Sequence, residues 1–141
     1  MDIEPLSPDT ATELERLSAC FDAAIRPDAV ERFFSSGTHH MLLAYEHGKP
    51  IGFISGVETT HPDKGTEMFV YELAVDERFR RRGCGSALVL ALARLARERG
   101  CYAMWVLADQ DNAAAIATYE RAGGRRESTP VMLSWDFSGR D

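Results

Sequence analysis

The chain has 141 residues, 45% of them hydrophobic and 27% charged, with a formal net charge of −6. This composition is typical of a soluble globular domain, and we expect residues 1–141 to form one domain with a sizeable core. The negative charge argues against nucleic acid as the main partner and is compatible with a cationic ligand. No apolar run approaches the roughly 20 residues of a membrane span, and no signal peptide is visible, so we expect a cytoplasmic protein with no membrane partner.

Helical spacing, β-branched runs and turn residues predict the elements. In chain order they are a short strand near Ile3, a helix over residues 7–21, a helix at 27–36, a hairpin of strands at 41–45 and 51–57, a polar loop at 59–65, a central strand at 68–75, a helix at 86–99, a strand at 101–108, a helix at 112–122 and a last strand at 131–137. The strand–helix–strand unit over residues 68–108 should be parallel with a right-handed crossover, whereas the hairpin is antiparallel. The sequence therefore predicts an α/β (α+β) domain with a mixed sheet.

The cysteines and histidines show no metal-ligand or disulfide pattern. Cys20, Cys84 and Cys101 are widely spaced and odd in number, and no two of them form a CxxC pair. This spacing predicts neither a disulfide framework nor a zinc site, and we expect no metal.

The turn after the central strand combines positive charge with glycine. Arg80, Arg81 and Arg82 run into Gly83 and Gly85 just before the predicted helix. Glycine lets the backbone approach a ligand closely, the N–H groups at a helix start bind anions, and guanidinium groups pair with phosphate oxygens. Three arginines alone would more often be a solvated charge run. Their place between a strand and a helix favours a pyrophosphate cradle, although the pattern is neither GxGxxG nor a P-loop.

Two spacings resemble the two signatures of the GNAT family of N-acetyltransferases: Arg80-x-x-Gly83-x-Gly85 and Asn112-x-x-Ala115-x-x-x-Tyr119-x-x-x-Gly123. They come in the family's order, each on the expected element, and the resemblance covers nearly the whole chain. It implies the GNAT fold, which is a mixed, mostly antiparallel sheet with helices on both faces. In that fold a parallel strand pair splays apart at the acetyl-CoA site.

The resemblance implies acetyl-CoA as cosubstrate, held by backbone groups at the end of the central strand, by the cradle and by the helix after it. The implied cofactor-binding residues are Leu73, Ala74, Val75, Arg80, Arg81, Arg82, Gly83, Cys84, Gly85, Ser86, Asn112, Ala115 and Tyr119. Asn112 acting as a helix cap alone is an equal alternative. Nothing near Cys84 marks it as a nucleophile, so direct attack of the amine on the thioester, through a tetrahedral intermediate and without an acyl-enzyme, is expected.

The expected catalytic residues are Glu72, Tyr119 and Asp109. By the family pattern Tyr119 donates to the leaving thiolate, and the alternative is an ordinary half-buried helix tyrosine. The attacking amine must be neutral, so a carboxylate base is needed, and Glu72 and Asp109 rank first. Asp109 and Asp111 also fit a purely turn-forming role before a helix.

The run Tyr71-Glu72-Leu73-Ala74-Val75 resembles Tyr-Asp-Leu-Ala-Val of the aminoglycoside 3-N-acetyltransferase I subfamily. That resemblance implies a small cationic amine acceptor, most specifically the 3-amine of an aminoglycoside, and a homodimer. An acidic pocket would suit such an acceptor, and the implied substrate-binding residues are Glu72, Asp109, Asp111, Asp136 and Glu58. The alternatives are acetylation of a peptide or protein amine or of a polyamine, and a CoA-binding module without turnover.

Overall fold

The computed structural model describes residues 1–139. Its strands are β1 (Asp2–Pro5), β2 (His39–Glu46), β3 (Lys49–His61), β4 (Gly65–Val75) and β5 (Ala103–Trp105), and its helices are α1 (Glu13–Arg16), α2 (Pro27–Ser35), α3 (Cys84–Glu98) and α4 (Ala113–Arg121). Short 3₁₀ turns lie at Pro8–Thr10, Ser18–Cys20 and Glu77–Phe79. No helix in this part of the chain has the length and apolar character to cross a bilayer.

The five strands form one sheet in the order β1-β2-β3-β4-β5. Every neighbouring pair is antiparallel except β4 and β5, which are parallel. The α3 helix connects these two strands, as a parallel crossover requires. The prediction of a mixed sheet with one parallel pair is confirmed.

Each face of the sheet is covered by a different group of helices. Leu88 and Leu92 of α3 are fully buried and pack with Met68 and Val70 of β4. On the other face, Leu17 packs with Phe53 in a second cluster, where the Phe21 ring also stacks on Phe53 at 4.7 Å. The predicted arrangement with helices on both faces is therefore confirmed.

The first predicted helix is broken into pieces. In place of a continuous helix over residues 7–21, a one-turn α1 lies between two 3₁₀ turns. The backbone N–H of Ser7 donates to Thr10 Oγ1 at 2.9 Å, as part of a capping box that starts the first 3₁₀ turn. Phe21 has extended backbone angles, which end the helical path and let its ring reach Phe53.

The predicted polar loop at 59–65 is mostly strand. β3 runs to His61 and β4 starts at Gly65, so only residues 62–64 form the turn. Gly65 has a φ of 91°, which a left-handed turn position needs. The exposed Thr60 and Thr66 side chains bond across the strands at 2.9 Å, so polar residues extend the hairpin beyond the core.

The last predicted strand is absent, and this prediction was wrong. Residues 131–137 form no helix or strand, and their large apolar side chains are exposed. β5 is also shorter than the predicted 101–108, because only Ala103–Trp105 pair with β4. A strand-forming sequence makes a strand only where it pairs with another strand, and residues 131–137 pair with no strand among residues 1–139.

Candidate functional site

A β-bulge in β4 decides which side chains face the site. Ser55 pairs with Glu72, but the next residue on β3, Gly56, pairs with Val70, so Tyr71 is an extra residue in β4. Before the bulge Met68 and Val70 face α3, and after it Leu73 and Val75 do so. Alternation alone would place Glu72 under α3. The bulge turns Glu72 to the opposite face of the sheet, toward the segment between α1 and α2.

The parallel strands β4 and β5 separate along their length. They pair only at Glu67 with Ala103, Met68 with Met104 and Phe69 with Trp105. β4 continues to Val75, whereas no ladder pair follows Trp105 among residues 1–139. The edge of β4 from Val70 to Val75 is therefore open toward β5, and an extended ligand could add to it as a strand does.

A cradle of main-chain N–H groups begins where β4 ends. Arg81 and Gly83 have φ angles of 64° and 82°, and α3 starts directly afterwards. The first backbone bond of the helix runs from Ala87 N–H to Gly83 O at 3.0 Å, so the N–H groups from Gly83 to Ser86 precede the helical ladder. Left-handed turns that lead into a helix start form an anion-binding concavity.

The three arginines of the cradle differ in what they contact. Arg80 Nε donates to the carbonyl oxygen of Val75 at 3.0 Å, which ties the turn to the end of β4. The Arg82 guanidinium lies 5.3 Å from the Phe79 ring centroid and 3.8 Å from the Glu46 carboxylate. All three residues are exposed. Arg80 and Arg82 thus stabilise the turn, and the free N–H groups of the cradle belong to the backbone.

The start of α3 packs closely on α4. A Cβ on Gly85 would lie 3.0 Å from Thr118 Cγ2 and 3.8 Å from Leu73 Cδ2, and Ser86 Oγ donates to the Thr118 carbonyl at 3.4 Å. Because glycine has no Cβ, position 85 of the cradle can pack closely against β4 and α4.

The α4 helix places Tyr119 at this junction. Asn112 Oδ1 accepts from Ala115 N–H at 3.1 Å, which caps the helix and agrees with the capping role considered for Asn112. Tyr119, two turns along, is half-buried and packs against the α3 core cluster. Burial raises the pKa of its hydroxyl above the ordinary value of 10.0, so the hydroxyl keeps its proton at neutral pH and can donate it.

Two neighbouring cavities meet at Glu72. The apolar cavity, about 320 Å³, lies between the α1–α2 segment and the sheet, and the polar cavity, about 610 Å³, lies beside the end of β4. Ile25, Phe33 and Met41 are among the residues lining the first. Phe21, Asp22 and Glu72 line both. A carboxylate pair therefore stands where the two spaces adjoin.

Glu72 has the properties of a base. Partial burial, and then the negative charge of Asp22, raise the pKa of the Glu72 carboxyl above its ordinary value of 4.5. A carboxylate with a raised pKa accepts a proton more readily near neutral pH, which suits general-base catalysis. Cys84 differs, since burial raises the pKa of its thiol to about 11 and it stays protonated. That protonation agrees with direct transfer rather than an acyl-cysteine.

The other predicted acidic residues lie apart from these cavities. Glu58 accepts from His40 Nε2 at 2.6 Å and from Arg99 Nε at 2.8 Å, so it anchors β2 and β3 to the end of α3. Asp109 and Asp111 are exposed, and their carbonyls accept from Asn112 and Ala113 N–H in the turn before α4, which fits the turn-forming alternative.

Asp136 accepts hydrogen bonds from the backbone N–H and the hydroxyl of Ser138. None of these four acidic residues lines either cavity. Among residues 1–139 no group of three or more His, Cys, Asp or Glu side chains could hold a metal ion.

A family model described as the acetyltransferase (GNAT) family matches residues 10–124. The chain belongs to this family. The matched span holds the bulged strand, the cradle and α4.

This GNAT chain is similar to several named enzymes. L-2,4-diaminobutyric acid acetyltransferase of Streptomyces coelicolor is 40% identical over 86 residues, which cover 57% of this chain and 49% of that protein. An aminoglycoside acetyltransferase structure from an uncultured soil metagenomic sample is 28% identical, covers 96% of this chain and 98% of that one, and gives a TM-score of 0.80. Another such enzyme, in complex with trehalose, has the same fold, with a TM-score of 0.87 at 18% identity over 97% and 96% of the two chains.

The chain spans about half or less of the length of the curated relatives that it matches. These relatives do not single out the 3-amine of an aminoglycoside, so the predicted subfamily is not established by them.

The residues of the GNAT site fit acetyl-CoA. The cradle offers N–H groups and a left-handed glycine for a diphosphate, and the open edge of β4 offers backbone groups for an extended arm. When bound there, acetyl-CoA supplies an activated thioester. Leu73 to Val75 and Gly83 to Ser86 are the residues that would hold it.

Sequence reasoning missed Asp22 and the bulge at Tyr71. Asp22 lies in an irregular segment without periodicity or motif, and it meets Glu72 only through the tertiary fold. One available signal was the position of Asp22 between two predicted helices, where an exposed acidic residue on a loop is a candidate for binding.

Proposed function

We propose that the chain transfers the acetyl group of acetyl-CoA to a primary amine of a small cationic acceptor, with Glu72 as the base. The observation that carries this proposal is the position of Glu72, which the bulge turns into both cavities at the end of the open strand edge. Membership of the GNAT family supports the same reaction.

In this proposal different groups of the chain bind the cosubstrate, act as the base and donate a proton to the leaving group. The N–H groups of Gly83 to Ser86 bind the diphosphate, and the backbone of Leu73 to Val75 positions the thioester carbonyl and polarises it. Glu72, directly or through water, takes the proton from the attacking amine. The hydroxyl of Tyr119 donates its proton to the departing sulfur.

We assign the acceptor to the apolar cavity. Asp22 and Glu72 attract an ammonium group to one end of it, and side chains such as Phe33 and Met41 line the rest. A volume of about 320 Å³ is at the lower end of the range for small-molecule sites. A compact amine fits this space better than a long peptide does.

The finer proposal is that the acceptor is an aminoglycoside, acetylated on its 3-amine. The 28% identical aminoglycoside acetyltransferase supports the class, and the paired carboxylates suit a polycation. The 3-position rests on the resemblance of residues 71–75 to the 3-N subfamily.

A second candidate acceptor is a short diamine. It is favoured by the small, mostly apolar cavity with carboxylates at one end, and by the 40% identical diaminobutyric acid acetyltransferase. A diamine needs only one carboxylate pair, whereas an aminoglycoside would place further ammonium groups outside the cavity.

The test is release of free CoA thiol from acetyl-CoA in the presence of a panel of amines. The panel contains aminoglycosides, 2,4-diaminobutyrate, polyamines and a peptide with a free N-terminus, and NMR of the product locates the acetyl group. We expect turnover with an aminoglycoside or with 2,4-diaminobutyrate, and a loss of 10²-fold or more in Glu72→Gln, roughly the contribution of a general base. Glu67→Gln, the same change at the paired end of β4, is the control and should retain activity.

The panel also separates the alternatives. If only the peptide were acetylated, the acceptor would be a peptide amine and not a small amine. Binding of acetyl-CoA without turnover on any amine would make the chain a CoA-binding module. Failure to bind acetyl-CoA would overturn the proposal as a whole.

A further inference from the structure

Three aromatic side chains form a row on one face of the sheet. The Phe69 ring centroid lies 6.3 Å from that of Tyr71 and 4.4 Å from that of Trp105. Tyr71 is 74% exposed, Trp105 is 42% exposed and Phe69 is half-buried. We call these three residues the aromatic row. Its apolar area is open to solvent, and exposed apolar patches on a folded protein often mark a binding surface.

The backbone places the aromatic row on the same face as Glu72. Met68 and Val70 face α3, so Phe69 and Tyr71, which alternate with them along β4, face away from α3. The bulge turns Glu72 away from α3 as well. Tyr71 directly precedes Glu72, so the row ends beside the proposed base and beside the cavities that this carboxylate lines.

Trp105 joins the row from β5. It pairs with Phe69 in the parallel ladder, and its neighbours Met104 and Val106 pack on the α3 core cluster, so the Trp105 ring faces the opposite way. The pair of Phe69 and Trp105 is the last of this ladder among residues 1–139. The aromatic row therefore lies where β4 and β5 separate, next to the open edge of β4 that would hold the thioester.

The helices leave this part of the face open, and the open area is small. The other part is covered, since Leu17 packs on Leu43 and Phe53 of β2 and β3. An aromatic side chain buries about 150–250 Å², so at the exposures above the aromatic row offers at most about 400 Å². A specific protein interface needs roughly 800 Å² from each partner. A patch of this size suits part of a small molecule better than a protein.

The chemistry of the row matches the part of a cationic acceptor that the apolar cavity does not enclose. The cavity of about 320 Å³ suits one ring, with its reacting amine between Asp22 and Glu72. Further rings of a polycyclic amine would lie outside it, where Tyr71 is the neighbour of Glu72 on the same face. The faces of aromatic rings are negative and attract ammonium groups, and the apolar side of a saturated ring packs on them.

We propose that the aromatic row is an outer acceptor subsite, which binds a second ring of a polycyclic amine while the reacting amine lies at Glu72. The inference rests on the proposed function and narrows its acceptor class. A short diamine occupies the cavity alone and does not reach the row, so the row selects acceptors of two or more rings. Tyr71 is the specificity-determining residue, because it stands between the cavity and the rest of the row.

The first experiment compares a polycyclic acceptor with small ones. Sisomicin, a three-ring aminoglycoside, and 2-deoxystreptamine, its central ring alone, are assayed by release of CoA thiol, with 2,4-diaminobutyrate as a second small amine. Tyr71→Ala should raise KM for sisomicin about tenfold, the size of a cation–π contact, and should leave kcat unchanged. KM for the small amines should not change.

Two further variants serve as controls. Tyr71→Phe keeps the ring and should retain the wild-type KM for sisomicin. Tyr102→Ala removes a tyrosine that is 58% exposed and lies outside the row, and it should have no effect. If Tyr71 had only a structural role, Tyr71→Ala would impair the reaction with every acceptor, whereas loss of the subsite impairs the reaction with sisomicin alone.

The second experiment detects binding without turnover. The chain has two tryptophans, so in Trp135→Phe the fluorescence emission of Trp105 reports on the row alone. Sisomicin should change this emission saturably, and 2-deoxystreptamine should not. Adding Tyr71→Ala to the same variant should weaken the apparent affinity for sisomicin about tenfold.

The outcomes separate the inference from the proposed function. If the small amines are acetylated and sisomicin is not, or if Tyr71→Ala leaves KM for sisomicin unchanged, the subsite is wrong and the proposed function stands. If no amine is acetylated, the proposed function fails, and the titration of Trp105 with sisomicin decides the subsite alone. If Trp105 emission changed with protein concentration in the absence of ligand, another copy of the chain would cover the row, which also overturns the inference.

Discussion

A Cβ atom on Gly85 would lie 3.0 Å from Thr118 Cγ2, and this pair sets how closely the start of α3 approaches α4. Gly85 belongs to the N–H cradle, and Thr118 directly precedes Tyr119. The spacing of these two helices therefore links the proposed diphosphate site to the proposed proton donor.

Gly85→Ala should push the two helices apart. We expect a loss of about 1–3 kcal/mol in the free energy of unfolding, the usual cost of overpacking, and a higher KM for acetyl-CoA. Urea denaturation and steady-state kinetics measure the two effects. Thr118→Ser removes Cγ2, so the double variant should recover most of both losses. If the double variant were no better than Gly85→Ala, steric contact with Thr118 would not be the cause.

Asp22→Asn should change the pH dependence of the reaction. Burial and the charge of Asp22 raise the pKa of Glu72, and removing that charge lowers it again. The acid limb of the kcat/KM profile, which reports the base in the free enzyme, should move to lower pH, and KM for the amine should rise. Asp9→Asn, an exposed aspartate in the first 3₁₀ turn, is the control. If the acid limb of the profile did not move, the charge of Asp22 would not influence the catalytic base.

Tyr119→Phe should lower kcat by about 10²-fold, the smaller part of the usual contribution of acid catalysis, while the affinity for acetyl-CoA is retained. Because burial raises the pKa of Tyr119, its deprotonation should not limit the wild-type rate below the ordinary tyrosine pKa of 10.0. Tyr102→Phe, at an exposed tyrosine beside Gly65, should have no effect. If Tyr119→Phe kept full activity, Tyr119 would not be the proton donor and its role would be packing.

Glu58→Gln should affect stability and leave catalysis unchanged. The Glu58 side chain is 8% exposed and bonds to His40 and Arg99, and loss of charged hydrogen bonds of this kind costs about 1–3 kcal/mol. KM for the amine should not change, in contrast to a substrate ligand. A raised KM with unchanged stability would restore Glu58 to the acceptor site.

The same variant has a predictable pH signature. Burial raises the pKa of the Glu58 carboxyl, but the hydrogen bonds from His40 and Arg99 lower it by a larger amount. The pKa in the folded state therefore lies below the ordinary value of 4.5. A lowered pKa in the folded state means that the stabilisation is present above pH 4.5 and is lost as the pH falls through the folded pKa. The difference in unfolding free energy between wild type and Glu58→Gln should therefore narrow on acidification.

Local signals predicted much of this fold. The glycines at 83 and 85 marked the strand-to-helix turn, the spacing of Leu88 and Leu92 marked the buried face of α3, and Asn112 marked the start of α4. Each of these features depends on neighbours within one or two turns, so a short stretch of sequence contains the information.

Features that depend on distant contacts were not predicted. One of the two partners of Glu58, Arg99, is 41 residues away, and Asp22 meets Glu72 across the space between a loop and a strand. Residues 131–137 have the pattern of a strand, but the pattern does not say whether a partner strand is available. Charge and periodicity name candidate residues, whereas the tertiary fold decides which of them meet.

Because Tyr71 is an extra residue in β4, the bulge decides which side chains of the following residues face the cavities. Regular alternation through Tyr71, with every residue kept but no bulge, would send the carboxylate of Glu72 toward Leu88 and Leu92 and turn Leu73 toward the cavities. The residue types would all survive, but the active face would be inverted. Comparisons of this strand between proteins should therefore align the halves before and after Tyr71 separately, because a gapless alignment through it can match residues that point in opposite directions.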